Sequence, residues 1–225
     1  MKKKNKKKII IIIVSSVVAA IVLALAIPIT IFGIRSASLN VAYSYLRTDP
    51  LYSHKVEVTG MNLVNQHISC GYASIEMMSD YYGSKVTEDE LEAKNGGRIS
   101  TSTSRGFLRE INNSIPSKSF IMHTYLHHDI LLKEVCLSLK NNNPVAIEWA
   151  AMYEGAWTLH FSVVSALDLA NDSVTVYNPY GYIENITVDE FISRTSFSPS
   201  GSISFFMSFG FAYGAFHKNT LFFAN

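Results

Sequence analysis

The chain offers 2 cysteines, 7 histidines and 18 carboxylates for chemistry, and one cysteine stands apart from the rest. Cys70 precedes Gly71 and opens a segment in which Ala73, Met77 and Tyr81 recur four apart, so the spacing predicts a helix starting at Cys70 and stopping at Gly83. A sulfur at that end faces unpaired backbone N–H groups and the positive end of the helix dipole. This predicts a thiol pKa lowered from about 8.5 into the range of roughly 3.5–7.5, and a nucleophile at neutral pH. Taken alone, a cysteine is more often a small buried apolar residue. Cys136 fits that plainer reading, since it falls among Leu131, Leu132, Val135 and Leu139.

A base for such a thiol must be a group with a reason to sit near it. His160 lies in Leu159-His160-Phe161-Ser162-Val163-Val164, an apolar strand in which an unpartnered imidazole is costly. Asn178 begins Asn178-Pro179-Tyr180-Gly181 at the end of the next extended run. A hairpin centred on residues 168–172 brings the two together, with the Asn178 amide oxygen accepting from the imidazole N–H. Nucleophile, base and the group that orients the base are the parts of an acyl-transfer site. By itself, Asn-Pro is simply a common turn.

The elements that must position these residues fall in a definite order. After the Cys70 helix, Thr87-Glu88-Asp89-Glu90 forms a capping box for a second helix, and Phe107, Leu108 and Ile111 mark a third over residues 104–113. A strand follows between Ser119 and Leu126. Asp129 is expected to cap a helix ending at Asn141-Asn142-Asn143-Pro144. Beyond it the chain is mostly extended: Val145–Trp149, Thr158–Leu167, Val174–Tyr177, then closing strands at Ile203–Tyr213 and Ala215–Phe223, with a short helix opened by a capping box at Thr187–Glu190. The C-terminal phenylalanines are read as core and sheet packing. Helices first and sheet second make an α+β fold, with a helical half packed on an antiparallel sheet.

The blocks Asn65-Gln66-x-x-x-Cys70-Gly71-x-Ala73-Ser74-x-x-Met77, Tyr81-Tyr82-Gly83, His160-Phe161-x-Val163-Val164 and Val176-x-Asn178-Pro179-x-Gly181, in that order, resemble the papain-like cysteine peptidases related to bacteriocin leader processing. The resemblance spans roughly residues 58–195. It implies a papain-like fold in which Cys70 is the nucleophile, His160 the general base and later acid, and Asn178 the residue that holds the imidazole tautomer. The family's oxyanion-hole glutamine usually stands about six residues before the nucleophile, where this chain has Val64. Given this departure from the family's spacing, a shorter loop is expected to bring Gln66, four before, or Asn65 to that place beside the Cys70 backbone N–H. Asn178 stands where leader-processing members commonly have Asp. Two further readings stay open: a catalytically silent binding module, and a cell-wall amidase or acyltransferase using the same three residues.

Composition adds a second object. The formal charge of +1 and the 48% hydrophobic content suggest an ordinary neutral protein. Yet six of the 19 basic residues are Lys2, Lys3, Lys4, Lys6, Lys7 and Lys8, which leaves 13 bases against 18 acids in residues 35–225, a net of −5. An acidic body argues against nucleic acid as a partner. Residues 9–34 carry no charge and as a helix would reach roughly 39 Å, against about 30 Å of hydrocarbon. The sequence therefore divides into a basic cytoplasmic stub at 1–8, a transmembrane anchor at 9–34 and a peptidase domain at 38–225. Lysines before the span and only Arg35 after it put the N-terminus inside and the domain outside, as a single-pass protein of the cell membrane, or a secreted one if cleavage occurs at Ser36-Ala37-Ser38. The partners expected are a peptide or protein substrate and the lipid bilayer. No cofactor is expected: no phosphate-binding loop is present, and His123, His127, His128 and Asp129 fit no zinc spacing. A loop explains Gly96-Gly97.

Overall fold

A computed structural model describes residues 2–225, with side chains described at residue 8 and from residue 11 onward. The chain opens with helix α1 (Lys2–Ser38), which runs unbroken through the predicted stub. Over Ile11–Ser38 it is long and apolar enough to cross a membrane, and its Ile, Val and Leu side chains face outward. The side chains of Lys2, Lys3, Lys4, Lys6 and Lys7, on which the predicted orientation rests, lie outside the described residues.

A 3₁₀ turn (Ser44–Arg47) and a two-residue strand β1 (Val56–Glu57) lead into the helical half: α2 (Cys70–Tyr81), α3 (Glu88–Lys94) and α4 (Ser104–Ser114). Then come β2 (Phe120–His123), α5 (His128–Lys140), β3 (Val145–Tyr153), β4 (Ala156–Asp168), β5 (Ser173–Asn178), β6 (Tyr182–Ile186), α6 (Val188–Thr195), α7 (Phe205–Ala212) and β7 (Thr220–Ala224). The strands form one antiparallel sheet in the order β2-β7-β3-β4-β5-β6, with β1 pairing β4. The fold is thus α+β, a helical half packed on an antiparallel sheet behind one apolar N-terminal helix.

Local chemistry accounts for most of these boundaries. Ser69 caps α2 by accepting from the Tyr72 N–H, and Gly83 ends that segment at φ +80. Thr87 and Glu90 form both halves of the capping box on α3. β3 and β4 join through Glu154 and Gly155, both at positive φ, the geometry a two-residue hairpin needs. Between the layers, Phe107 of α4 stacks on Phe161 of β4 with ring centroids 4.4 Å apart.

Five expectations fail in whole or in part. The predicted strand Ile203–Tyr213 is helix α7, started by Ser204, which accepts from the Met207 N–H. The second closing strand shrinks to Thr220–Ala224. Phe205 and Phe206 are 72% and 82% exposed, so they are not core. Asp129 does not cap α5: the cap position is His127, without a side-chain bond, and Asp129 instead accepts from the Tyr45 hydroxyl at 2.8 Å. At the start of α6 only half a capping box forms, because the Glu190 carboxylate turns to Arg194.

One carboxyl is buried in the middle of the sheet. Glu148 on β3 pairs with Phe161 and Thr220 on its two neighbours, and its Oε2 accepts from the Ser104 hydroxyl at 2.5 Å while Oε1 has no partner. Burial pushes its pKa from 4.5 up to about 8, against the Ser104 hydroxyl and the His217 backbone N–H, which pull it down. Between those values the folded chain keeps a proton that the unfolded chain has released, so this group's contribution to stability is full below pH 4.5 and is lost as pH rises through 8. The thermal midpoint of the full chain in detergent is therefore expected to fall by several degrees from pH 6 to pH 9, and Glu148→Gln to remove most of that slope. An unchanged slope in the variant would acquit the carboxyl.

Candidate active site

Cys70 is the first residue of α2, and the loop that delivers it is held by an acid from the next helix. The buried Glu88 carboxylate accepts three consecutive backbone N–H groups, from His67 at 3.1 Å, Ile68 at 3.0 Å and Ser69 at 2.9 Å. Its own N–H donates to Glu76 Oε2 at 2.7 Å. Gly71 is required by a close approach: a Cβ there would stand 2.3 Å from Thr101 Oγ1. That contact is why a glycine follows the cysteine.

Backbone N–H groups of Phe161, Gly71 and Cys70 itself lie near enough to the Cys70 sulfur to favour its charged form. Those donors lower the thiol pKa, but burial is the larger effect and pushes it up from 9.0 to about 11. The sequence-based expectation of a depressed thiol is thus reversed. A helix N-terminus favours thiolate only while the charged sulfur keeps its hydration, and the partly buried Cys70 loses much of it. α2 packs on β4, and the Phe161 N–H that influences the sulfur belongs to the residue after His160.

His160 is buried, and its Nε2 lies 2.8 Å from Asn178 Oδ1. The amide orientation follows from its other partners. Asn178 Nδ2 donates to Glu184 Oε1 at 2.5 Å, and a carboxylate can only accept. Oδ1 also accepts the Tyr180 N–H at 2.9 Å. With Oδ1 fixed as an acceptor, Nε2 must carry the imidazole proton, which leaves the lone pair on Nδ1. Burial lowers the His160 pKa from 6.5 to about 4, opposed by the Asn178 bond. Burial thus disfavours the charged form of both partners, the thiol and the imidazole.

A charged pair behind the amide keeps it in place. Arg194 of α6 binds Glu184 through two nitrogens, at 2.6 and 3.2 Å, donates through Nε to the Ala150 carbonyl at 2.9 Å, and lies 3.5 Å over the Trp149 ring. Trp149 is the register partner of His160 across β3 and β4. On the other side Tyr180 stacks on the imidazole, centroids 4.0 Å apart, and its hydroxyl lies 2.9 Å from Thr158 Oγ1.

Gln66 comes to the same place from the loop before α2. Its N–H donates to the Pro179 carbonyl at 2.7 Å, and its side-chain oxygen is buried without a partner. Asn65 packs against Gly181. Val64 is turned elsewhere, lining a hollow with Glu76, Asp80 and Thr87. Cys136 is buried in the α5 stripe, and both cysteines are free. His123 lies 2.8 Å from Glu134, and among the described residues no group of three or more His, Cys, Asp or Glu could hold a metal ion.

Sequence reasoning missed Glu88, Tyr180, Glu184, Arg194 and Trp149. Of these only Tyr180 carried a signal, its place inside Asn178-Pro179-Tyr180-Gly181.

The model of the Peptidase C39 like family matches residues 58–200. Among solved structures, the crystal structure of a double glycine motif protease from an AMS/PCAT transporter in complex with its leader peptide superposes with a TM-score of 0.50 at 17% identity, covering 75% of this chain and 97% of that one. At that identity the likeness is one of fold. No curated protein sequence matches the chain.

Proposed function

Because the chain belongs to the Peptidase C39 like family of cysteine peptidases, we propose that residues 38–225 form a peptidase domain that hydrolyses peptide bonds through Cys70, His160 and Asn178, outside a membrane anchored by residues 9–34. The observation that carries this reading is the tautomer lock: Glu184 fixes the Asn178 amide, the amide fixes Nε2–H, and the free lone pair at Nδ1 is the acceptor a thiol needs. The sulfur attacks the peptide carbonyl carbon while its proton passes to Nδ1. The resulting imidazolium, steadied by Asn178, gives that proton to the leaving amine as the C–N bond breaks. Water then attacks the thioester, His160 takes one of its protons and returns it to sulfur, and the acid leaves. Because both partners start neutral, the proton moves with the attack and not before it. Developing charge on the carbonyl oxygen is met by the Cys70 backbone N–H and the Gln66 amide.

The peptide bound by the solved relative is a leader peptide. A domain outside the membrane would meet its peptide after export, so the substrate here is a peptide or protein on the outer face. The lysines at the N-terminus favour that orientation, with residues 1–8 as the cytoplasmic stub. Detergent-purified full chain, incubated with a peptide pool that includes Gly-Gly sequences and read by mass spectrometry, is expected to yield new carboxyl termini. With an added amine the products remain acids for a hydrolase and become amides for an acyltransferase. A pool left uncut, or cut equally by Cys70→Ala, removes the peptidase reading.

A further inference from the structure

Two elements outside residues 58–200 pack against each other. The Phe32 ring of α1 stacks on Phe211 of α7 with centroids 5.6 Å apart, and the Tyr213 hydroxyl just after α7 donates to the Ala24 carbonyl at 2.9 Å. That carbonyl is free for a chemical reason. Its helical donor would be the N–H of residue 28, and residue 28 is Pro28, which has none. A carbonyl without a partner in hydrocarbon is strongly disfavoured. Tyr213 supplies the missing donor.

This contact fixes the depth of α7. Residues 24 to 35 rise about 16 Å along the helix axis, roughly half the ~30 Å hydrocarbon thickness. The headgroup level is marked by two cations: Arg35 lies 5.5 Å over the Tyr125 ring, and Lys218 lies 5.4 Å over the Phe32 ring. α7 touches α1 on the membrane side of that level. Residues 195–216 contain no charged side chain, the backbone of α7 is bonded within the helix and capped by Ser204, and Phe205 and Phe206 project outward. Exposed aromatic rings beside an uncovered apolar helix are uncommon on a water-facing surface and mark a place of interaction. Phe211 also packs with Ala150 and Phe197, which ties α7 to the body.

We infer that α7 is buried in the outer leaflet of the bilayer that α1 spans, with the Phe205 and Phe206 rings among the acyl chains. The inference rests on the anchor reading of α1. Two attachments in place of one hold the body at a set tilt on the membrane surface.

The test uses the full native chain in phosphatidylcholine vesicles doped with phosphatidylcholine that carries a photoactivatable diazirine on its acyl chain. After irradiation, mass spectrometry is expected to find lipid adducts on residues 11–34 and on residues 205–213, and only background on α3. Phe205→Ser/Phe206→Ser should lose the adducts on 205–213 and keep those on α1. Adducts on α1 alone overturn the inference and leave the anchor standing. Adducts on neither segment overturn both.

Discussion

Cys70→Ala is expected to lower peptide hydrolysis by about 10⁴-fold or more, to whatever the remaining groups achieve without a nucleophile. Cys136→Ala should keep it, since Cys136 is buried in the α5 stripe. The resting chemistry makes the comparison sharper. With the Cys70 thiol held near 11 and His160 near 4 by burial, thiolate is scarce at neutral pH. Alkylation by iodoacetamide should therefore be slow at pH 6 and accelerate steadily up to pH 9, whereas a preformed thiolate would react rapidly and independently of pH over that range. Turnover of peptide at pH 7 combined with slow alkylation is the signature of a proton that moves during attack. Rapid alkylation at pH 6 would sink the neutral-pair account, and hydrolysis surviving in Cys70→Ala would sink the nucleophile.

The second large effect is expected at Arg194, which touches none of the three proposed catalytic residues. Its side chain is 5% exposed and that of Glu184 is 14%, so Arg194→Met leaves a nearly buried carboxylate without its cation. Breaking such a pair costs about 3–5 kcal/mol, and in a domain of this size each kcal/mol shifts the thermal midpoint by roughly 2–4 °C. A drop on the order of 10 °C follows. Arg194→Lys should recover little, because a single ammonium cannot make the two-nitrogen bond to Glu184 or lie flat on Trp149. Glu184→Gln/Arg194→Met removes both charges and should be more stable than Arg194→Met alone. Yet it should stay poor in kcat, because a glutamine can accept from or donate to Asn178 and so no longer dictates which way that amide faces. A double variant with full activity would show that the pair supports the fold and nothing more.

What could be read in advance follows the range of each interaction. Cys70, His160 and Asn178 stand in local patterns: a helix start, a polar residue in an apolar strand and a turn after the next strand. Their supports do not. Glu88 reads as an ordinary first-turn acid of a capped helix, and its bonds to residues 67–69 exist only once α3 folds back on the loop before α2. Glu184 and Arg194 are brought together by a strand-to-helix connection that no spacing announces. The thiol was misjudged because the helix-end effect can be seen in sequence while desolvation cannot. Residues 203–213 are apolar in a way that suits a strand and a helix equally well, and it is the Ser204 cap, a single local bond, that decides for the helix.

β7 lies between β2 and β3, although it is made after every other described element. Until residues 220–224 are synthesised, β2 has no partner strand and β3 presents an open edge beside the buried Glu148. The sheet therefore closes only once Thr220–Ala224 is available, and a ribosome-bound chain halted before Thr220 should be softer to protease than the chain that includes β7.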